Sequence, residues 1–319
     1  MPVGLRPFLK WVGGKRQLLP VLRQFYPASI GCYYEPFVGS GAVFFDLAAR
    51  GAINGRGAVL SDDNADLIAC YRRVARSPGD VVAALEQLAA DHAARGRECY
   101  LEVRDRRFNP QRAAWRKEGG SLDRFSAELA AMLIYLNRTG YNGLFRLNAS
   151  GEFNVPPGRY DRPKVVDRAL LERVAEVLAA PGIRLEHAPF DRVLDAAVAG
   201  DFVYFDPPYA PVSATANFRG YTARGFSHEQ QEQLQRVVIA LAERGVHVLL
   251  SNSVAPSVAT LYEDDPAVRR AGLVAVRVPA RRAINSRPDR RGAVEELVVT
   301  NVARRDRSGA AVERSAPAD

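Results

Sequence analysis

The stretch Asp201-Phe202-Val203-Tyr204-Phe205-Asp206-Pro207-Pro208-Tyr209 decides what kind of sheet this chain builds. Its apolar run, 202–205, reads as a short buried strand. Two prolines must then stop it, because neither can donate a ladder hydrogen bond. An acid, two stiff residues and an aromatic ring are thereby placed at the carboxyl end of a strand, where ligands bind in open α/β sheets. That set suits an exocyclic amino group on a nucleobase, whose lone pair is delocalised into the ring. A carboxylate on Asp206 and a backbone carbonyl of Pro207 or Pro208 can both accept its hydrogens and draw the nitrogen toward a tetrahedral form. Tyr209 offers a flat face for stacking. A plain strand-ending turn with a packed tyrosine fits the same residues, so the flanking sequence must decide.

Working outward, residues 183–187 read as a strand, with Phe190-Asp191 in the loop after it. Beyond Tyr209 comes a long polar loop, 210–225, with Asn217, Tyr221 and Thr222; loops of this length are often functional. An amphipathic helix over 228–243 follows, then a strand over 246–250 ending in Ser251-Asn252-Ser253. Strands over 273–278 and 296–299 complete the sheet.

Nearer the N-terminus, Tyr33-Tyr34-Glu35-Pro36-Phe37-Val38-Gly39-Ser40-Gly41 reads as a strand, a glycine turn and the start of a helix running to residue 50. This is the first crossing of a Rossmann-like sheet. The full G-x-G-x-x-G pattern is missing, so no dinucleotide is implied. Residues 58–62 form a second strand ending in Asp62-Asp63-Asn64. An acid there can bind both hydroxyls of a ribose, and Asp62 is the first choice with Asp63 competing. Asp63 or Asn64 can instead cap the helix that begins at Ala65. At the very start, Phe8-Leu9-Lys10-Trp11-Val12-Gly13-Gly14-Lys15-Arg16 reads as a glycine loop entering a helix, without the spacing of a Walker loop.

The pattern changes between 71 and about 180. Helices are expected over 81–91 and 127–136, with basic residues between them. Residues 145–148 and 152–155 read as two strands joined by an Ala149-Ser150-Gly151 turn. A hairpin carrying Arg, Asn and Tyr can enter a DNA major groove, though it also fits an ordinary polar surface hairpin.

Composition narrows the classes. The 319 residues are 47% hydrophobic, ample for one large domain or two smaller ones. No apolar run is long enough to cross a membrane, and no signal core opens the chain, so a cytoplasmic location is expected. Three cysteines and four histidines lack the spacing of a disulfide framework or a metal site. A net charge of +8 favours a polyanionic partner. Residues 269–291 hold eight Arg and one acid, Asp289, and Arg suits phosphate through its planar fork.

These pieces together resemble the Dam family of DNA adenine-N6 methyltransferases. The likeness runs from Phe8 to about Asn301 and keeps that family's order. Its parts are Phe-Leu-Lys-Trp-x-Gly-Gly-Lys, Glu-Pro-Phe-Val-Gly-x-Gly, the acid-ended strand, Leu136-Asn137-Arg138-Thr139-Gly140-Tyr141-Asn142-Gly143-Leu144, Gly151-Glu152-Phe153-Asn154-Val155-Pro156, and Asp-Pro-Pro-Tyr. Any one is weak; their succession over this length is specific.

The resemblance implies a Rossmann-like S-adenosylmethionine-dependent fold with an inserted, mainly helical target-recognition domain carrying a β-hairpin. Residues 1–70 and 175–303 would form the catalytic domain, 71–174 the recognition domain, and 304–319 a disordered tail. Trp11, Gly14, Lys15, Phe37, Gly39, Gly41, Asp62 and Asp206 would hold S-adenosylmethionine. Asp206, Pro207, Pro208 and Tyr209 would hold a flipped adenine. Lys10, Arg138, Tyr141, Asn142, Leu144, Arg146, Pro156 and Tyr160 would meet double-stranded DNA. The hairpin pattern around Arg146 implies a GATC target, and a monomeric, nucleoid-associated enzyme is expected. The sequence departs from the family at Asp63, which leaves the ribose partner open, and in the basic loop over 287–291. Cytosine methylation more often uses Ser where Asp206 stands, and glutamine methylation an Asn. RNA adenine methylation shares the pocket chemistry. A non-catalytic DNA-binding relic would not need the intact glycine turn, ribose acid and Asp-Pro-Pro-Tyr.

Overall fold

Among the described residues seven strands form one sheet. They are β1 (Tyr33–Glu35), β2 (Ala58–Asp62), β3 (Ile183–His187), β4 (Phe202–Phe205), β5 (His247–Ser253), β6 (Val274–Arg281) and β7 (Ala293–Thr300). This computed structural model describes residues 4–53, 55–160, 162–209, 226–281 and 293–304. The expected functional loop with Asn217, Tyr221 and Thr222, the arginines at 287, 290 and 291, and the expected tail from 305 lie outside the described residues.

The sheet order is β3-β2-β1-β4-β5-β7-β6. Strands β1 to β5 run parallel, and β7 lies antiparallel between β5 and β6. The order reverses between β1 and β4, which opens a crevice at their carboxyl ends. Every residue of β4 is buried, because helices cover both faces; such a strand reads as an unbroken apolar run instead of alternating. Asp201, just before it, is fully buried and accepts the Cys32 N–H at 2.8 Å, tying β4 to β1 at the opposite end from the crevice.

Two apolar layers sandwich the sheet. One is built on helices Ala42–Ala49, Ala65–Arg76, Ala127–Thr139 and Arg168–Leu178, the other on His228–Glu243 and the short helices after β5. Within 71–174, Leu85, Tyr100, Trp115 and Phe153 belong to the same buried cluster as Leu60 of β2 and Tyr204 of β4.

Several elements differ from expectation. The helix expected over 81–91 spans Pro78–Arg95, because proline is tolerated in a first turn and Gly96 stops the helix at φ +51°. The helix expected over 127–136 runs Ala127–Thr139 from a Ser126 cap on the Leu129 N–H. Strand β5 continues through Ser251-Asn252-Ser253, because β7 pairs along all three. The hairpin condenses to a single bridge, Leu147 to Phe153, flanked by bonds from Asn148 N–H to the Glu152 carbonyl and from Asn154 N–H to the Arg146 carbonyl. The basic stretch between the two helices is itself helical from Arg97 to Lys117, with a π-helical turn over Val103–Phe108. Among the described residues no helix is long and apolar enough to cross a membrane, and no cluster of His, Cys, Asp and Glu could hold a metal.

Candidate active site

The crevice between β1 and β4 receives the two turns that the sequence singles out. Asp206 follows β4 directly. Lys15, from the N-terminal glycine loop, places Nζ 2.8 Å from Asp206 Oδ1 and donates to the Gly13 carbonyl at 2.7 Å. The same ammonium lies 4.4 Å from the centroid of the Tyr209 ring. Lys15 and Asp206 side chains are only 5% and 19% exposed, so this pair is largely out of water. Burial raises the Asp206 carboxyl to about 6; Lys15 pulls against that rise, and Glu296 adds to it.

Further partners fix the turn from behind. The Tyr209 hydroxyl donates to Glu296 Oε2 at 2.7 Å. Gln231 Nε2 lies 3.5 Å from the Pro208 carbonyl, and Asn252 Nδ2 donates to Gln231 Oε1 at 2.9 Å. Ser251 Oγ bonds the Tyr204 hydroxyl at 2.8 Å and Asp206 Oδ1 at 3.4 Å. Glu35, at the end of β1, accepts the Phe44 N–H and the Tyr33 hydroxyl on one oxygen, and burial lifts it to about 8.

Around the glycine turn the residues form a cradle. Gly39 has φ +46°, and a Cβ there would stand 2.8 Å from Trp11 Cδ1, so only glycine lets the indole lie this close. Asp62 accepts the Gly39 N–H on Oδ2 at 3.1 Å and the Asn64 N–H on Oδ1 at 3.0 Å. Burial pushes its carboxyl up to about 6 despite those bonds. Asn64 is the helix cap, accepting the Asp66 and Leu67 N–H groups, while Asp63 is exposed. Phe37 stacks on Phe190 with centroids 5.3 Å apart, and Gly41 starts the helix at φ +67°. Gly14 donates its N–H to the Trp11 carbonyl at 3.0 Å, closing the N-terminal loop.

The residues expected at DNA meet on one side of this cradle. Lys10 Nζ lies 4.2 Å over the Tyr160 ring, and Tyr141 N–H donates to the Pro156 carbonyl at 2.9 Å. A Cβ on Gly143 would stand 2.3 Å from the Lys10 carbonyl, so the 141–144 turn packs directly on Lys10. Asn142 adopts φ +54°, and Leu144 packs partly against the core. Lys10, Tyr141, Pro156 and Tyr160 are exposed. The Trp11 ring stacks on Phe145 at 5.9 Å, which joins cradle to hairpin. Arg146 Nε and Nη2 donate to Asn154 Oδ1 and the Asn154 carbonyl, at 2.7 and 3.2 Å; Glu152 instead takes Asn148. Arg138 is turned inward, contrary to expectation: its guanidinium donates to the carbonyls of Phe8 and Lys164 at 3.1 and 2.9 Å, bracing the N-terminal segment.

The sequence did not point to Glu296, Gln231 or Ser251 as site residues. For Glu296 a signal exists: an acid in an apolar strand of a sheet covered on both faces needs a partner. What hides it is direction. Because β7 runs antiparallel, its register sets Glu296 opposite Ser253, at the carboxyl end of β5 beside the crevice.

Residues 11–276 match the model of the D12 class N6 adenine-specific DNA methyltransferase family. The chain is 38% identical to the type II methyltransferase M1.LlaDCHI of Lactococcus lactis subsp. cremoris, covering 94% of this chain and 96% of that one. It is 36% identical to the type II methyltransferase M.MjaIII of Methanocaldococcus jannaschii, covering 93% and 99%. It is 37% identical to the DNA adenine methylase of Escherichia coli, covering 92% and 94%. With sheet, glycine turn and Asp-Pro-Pro-Tyr in place, the chain belongs to this family of adenine-specific DNA methyltransferases.

Proposed function

We propose that the protein transfers a methyl group from S-adenosylmethionine to the N6 of an adenine flipped out of duplex GATC. The observation that carries this reading is the Lys15–Asp206–Tyr209 cluster facing the Gly39–Asp62 cradle. When bound, S-adenosylmethionine supplies an electrophilic methyl group. Trp11, Gly14, Lys15, Phe37, Gly39, Gly41 and Asp62 would hold it, with Asp62 accepting from the ribose hydroxyls. The glycine that alone admits Trp11 and the buried carboxylate beneath it fit such a ligand. The N-terminal segment with Lys10 and residues 71–174, with their hairpin, serve target recognition. Residues 1–70 and 175–303 form the rest of the enzyme.

Within the site, Asp206 orients the amino group. The bonds from Lys15 and Ser251 both fall on Oδ1, so Oδ2 is the oxygen for an adenine N–H. The Pro208 carbonyl is turned toward Gln231, which favours the Pro207 carbonyl as acceptor for the second hydrogen. The target base must leave the helix first, since its amino group is otherwise paired. Tyr209 then stacks on it, its ring set by Glu296 and Lys15.

Three outcomes check these roles. Asp62→Ala should weaken S-adenosylmethionine binding by about 1.5–3 kcal/mol for each charge-assisted bond lost; calorimetry showing wild-type affinity would remove the role from Asp62. Tyr209→Phe should cost about 1 kcal/mol, roughly a fivefold loss in single-turnover rate, because the bond to Glu296 is gone. A wild-type rate would mean that this bond does not place the ring. Arg146→Ala should relax discrimination at one outer base pair by about 1–3 kcal/mol while cofactor affinity stays unchanged. Asn154 holds Nε and one Nη2 proton, so Nη1 and the second Nη2 proton form the pair for guanine O6 and N7. Methylation rates on GATC and on sites with one outer base changed decide this. Equal fractional losses at all sites would make Arg146 a structural residue, and methylated adenines mapping outside GATC would refute the target.

A further inference from the structure

Among the described residues no third strand flanks the hairpin, yet its outer edge is bonded. Along the second arm, Glu152 and Asn154 face the first arm, through the Glu152 carbonyl and the Asn154 N–H. Phe153 therefore points its N–H and carbonyl the other way, and so do the carbonyls of Gly151 and Val155, while the Gly151 N–H closes the turn on the Asn148 carbonyl. Side chains of the helical segment Arg97–Lys117 meet them there. The Val155 carbonyl accepts from the Tyr100 hydroxyl at 2.9 Å and from Arg104 Nη1 at 3.0 Å. Asn109 accepts the Phe153 N–H at 2.9 Å and donates to the Phe153 carbonyl at 3.0 Å, as a neighbouring strand would. Arg112 Nη1 donates to the Gly151 carbonyl at 2.5 Å.

A regular α-helix could not present these four side chains to one edge. At about 100° per residue, Tyr100 and Asn109 would stand roughly 180° apart. The π-helical turn Val103–Phe108 lies between them and winds more slowly, which returns Asn109 to the side of Tyr100. Pro110 gives the turn a local cause: in a regular helix its ring would clash with the carbonyl four residues back, within that turn. At the far end Arg112 is itself fixed. It is 6% exposed, and its Nε and Nη2 grip both oxygens of the fully buried Asp66 at 2.6 and 2.9 Å. Asp66 lies in the first turn of the helix that follows β2, so the frame is anchored next to the Asp62 strand end.

We infer that the π-turned helix acts as a surrogate third strand for the hairpin, and that Asn109 and Arg112 are positioning residues for target discrimination. This rests on the reading that the hairpin presents Arg146 to a base. Phe153 is 3% exposed, so water cannot readily replace the two bonds from Asn109. Loss of the frame frees the hairpin to shift, and a shifted Arg146 meets right and wrong bases more nearly alike.

The test compares Asn109→Ala, Arg112→Met and Arg146→Ala. Each is assayed for the ratio of methylation rates on the preferred duplex and on one with an outer base pair changed. Arg116 also bonds Asp66, at 2.7 Å, so Arg112→Met does not strand that acid. In Asn109→Ala the ratio should fall about tenfold, the worth of one to two net hydrogen bonds, and hydrogen exchange at the Phe153 amide should quicken. A role in stability alone would lower both rates together and keep the ratio. If Arg146→Ala flattens the ratio while Asn109→Ala and Arg112→Met leave it intact, the positioning inference falls and the base reading stands. If Arg146→Ala also leaves it intact, the base reading fails and this inference fails with it.

Discussion

Replacing Asp206 by Ala is expected to cut single-turnover methylation by about a hundredfold to a thousandfold while duplex DNA still binds. The carboxylate is a fixed acceptor in a mostly buried site, so no water can reproduce its position. Its loss also leaves Lys15, among the described residues, with the Gly13 carbonyl and the Tyr209 ring. S-adenosylmethionine affinity must be followed in parallel, because Asp206 borders the cradle. A near-wild-type rate at saturating cofactor would remove Asp206 from the chemistry.

Lys15→Met should have the next largest effect, and in a different coordinate. Desolvation lifts Asp206 to about 6, and Lys15 is the main influence holding it from going higher. An acid with a raised value is ionised only above it. The wild-type rate should therefore fall as pH drops through about 6, as Asp206 gains a proton and loses its capacity as acceptor. Without Lys15 that acid limb should move upward, so the variant is slow at neutral pH and recovers at alkaline pH. Where Asp206 is ionised, at alkaline pH, the variant also buries a carboxylate without its partner, and a stability loss of about 3 kcal/mol is expected there, shrinking as the acid gains its proton. pH–rate profiles with thermal unfolding read both. A limb that stays near 6 would mean that Lys15 does not set the ionisation of Asp206.

Much of this arrangement could be read from the chain because local rules and tertiary structure agree. The strands at 58–62, 183–187 and 202–205 and the helix at 228–243 match the sequence expectation, since apolar runs mark the first and third strands, apolar–charged alternation the second, and a Ser227–Gln230 capping box the helix. The acid after β4 and the glycine turn after β1 are likewise local signals. Most of what stayed hidden depends on non-local pairing. The Lys15–Asp206 contact joins residues far apart in the chain. Glu296 reaches the site only through the reversed direction of β7. Arg138 looked like a DNA contact because its charge is visible in sequence and its backbone partners, Phe8 and Lys164, are not. The helix Arg97–Lys117 was obscured by Pro110, which sequence rules treat as a breaker and which a π-helical turn accommodates.

The identity of the methylated atom tests the role of Asp206 most directly. A GATC-containing duplex would be incubated with S-adenosylmethionine and either the wild-type protein or Asp206→Ala, then digested to nucleosides for mass analysis. N6-methyladenine is expected from the wild-type protein, and almost none from a variant that still binds the duplex. Methylcytosine as the product, or equal N6-methyladenine from the variant, would contradict that role.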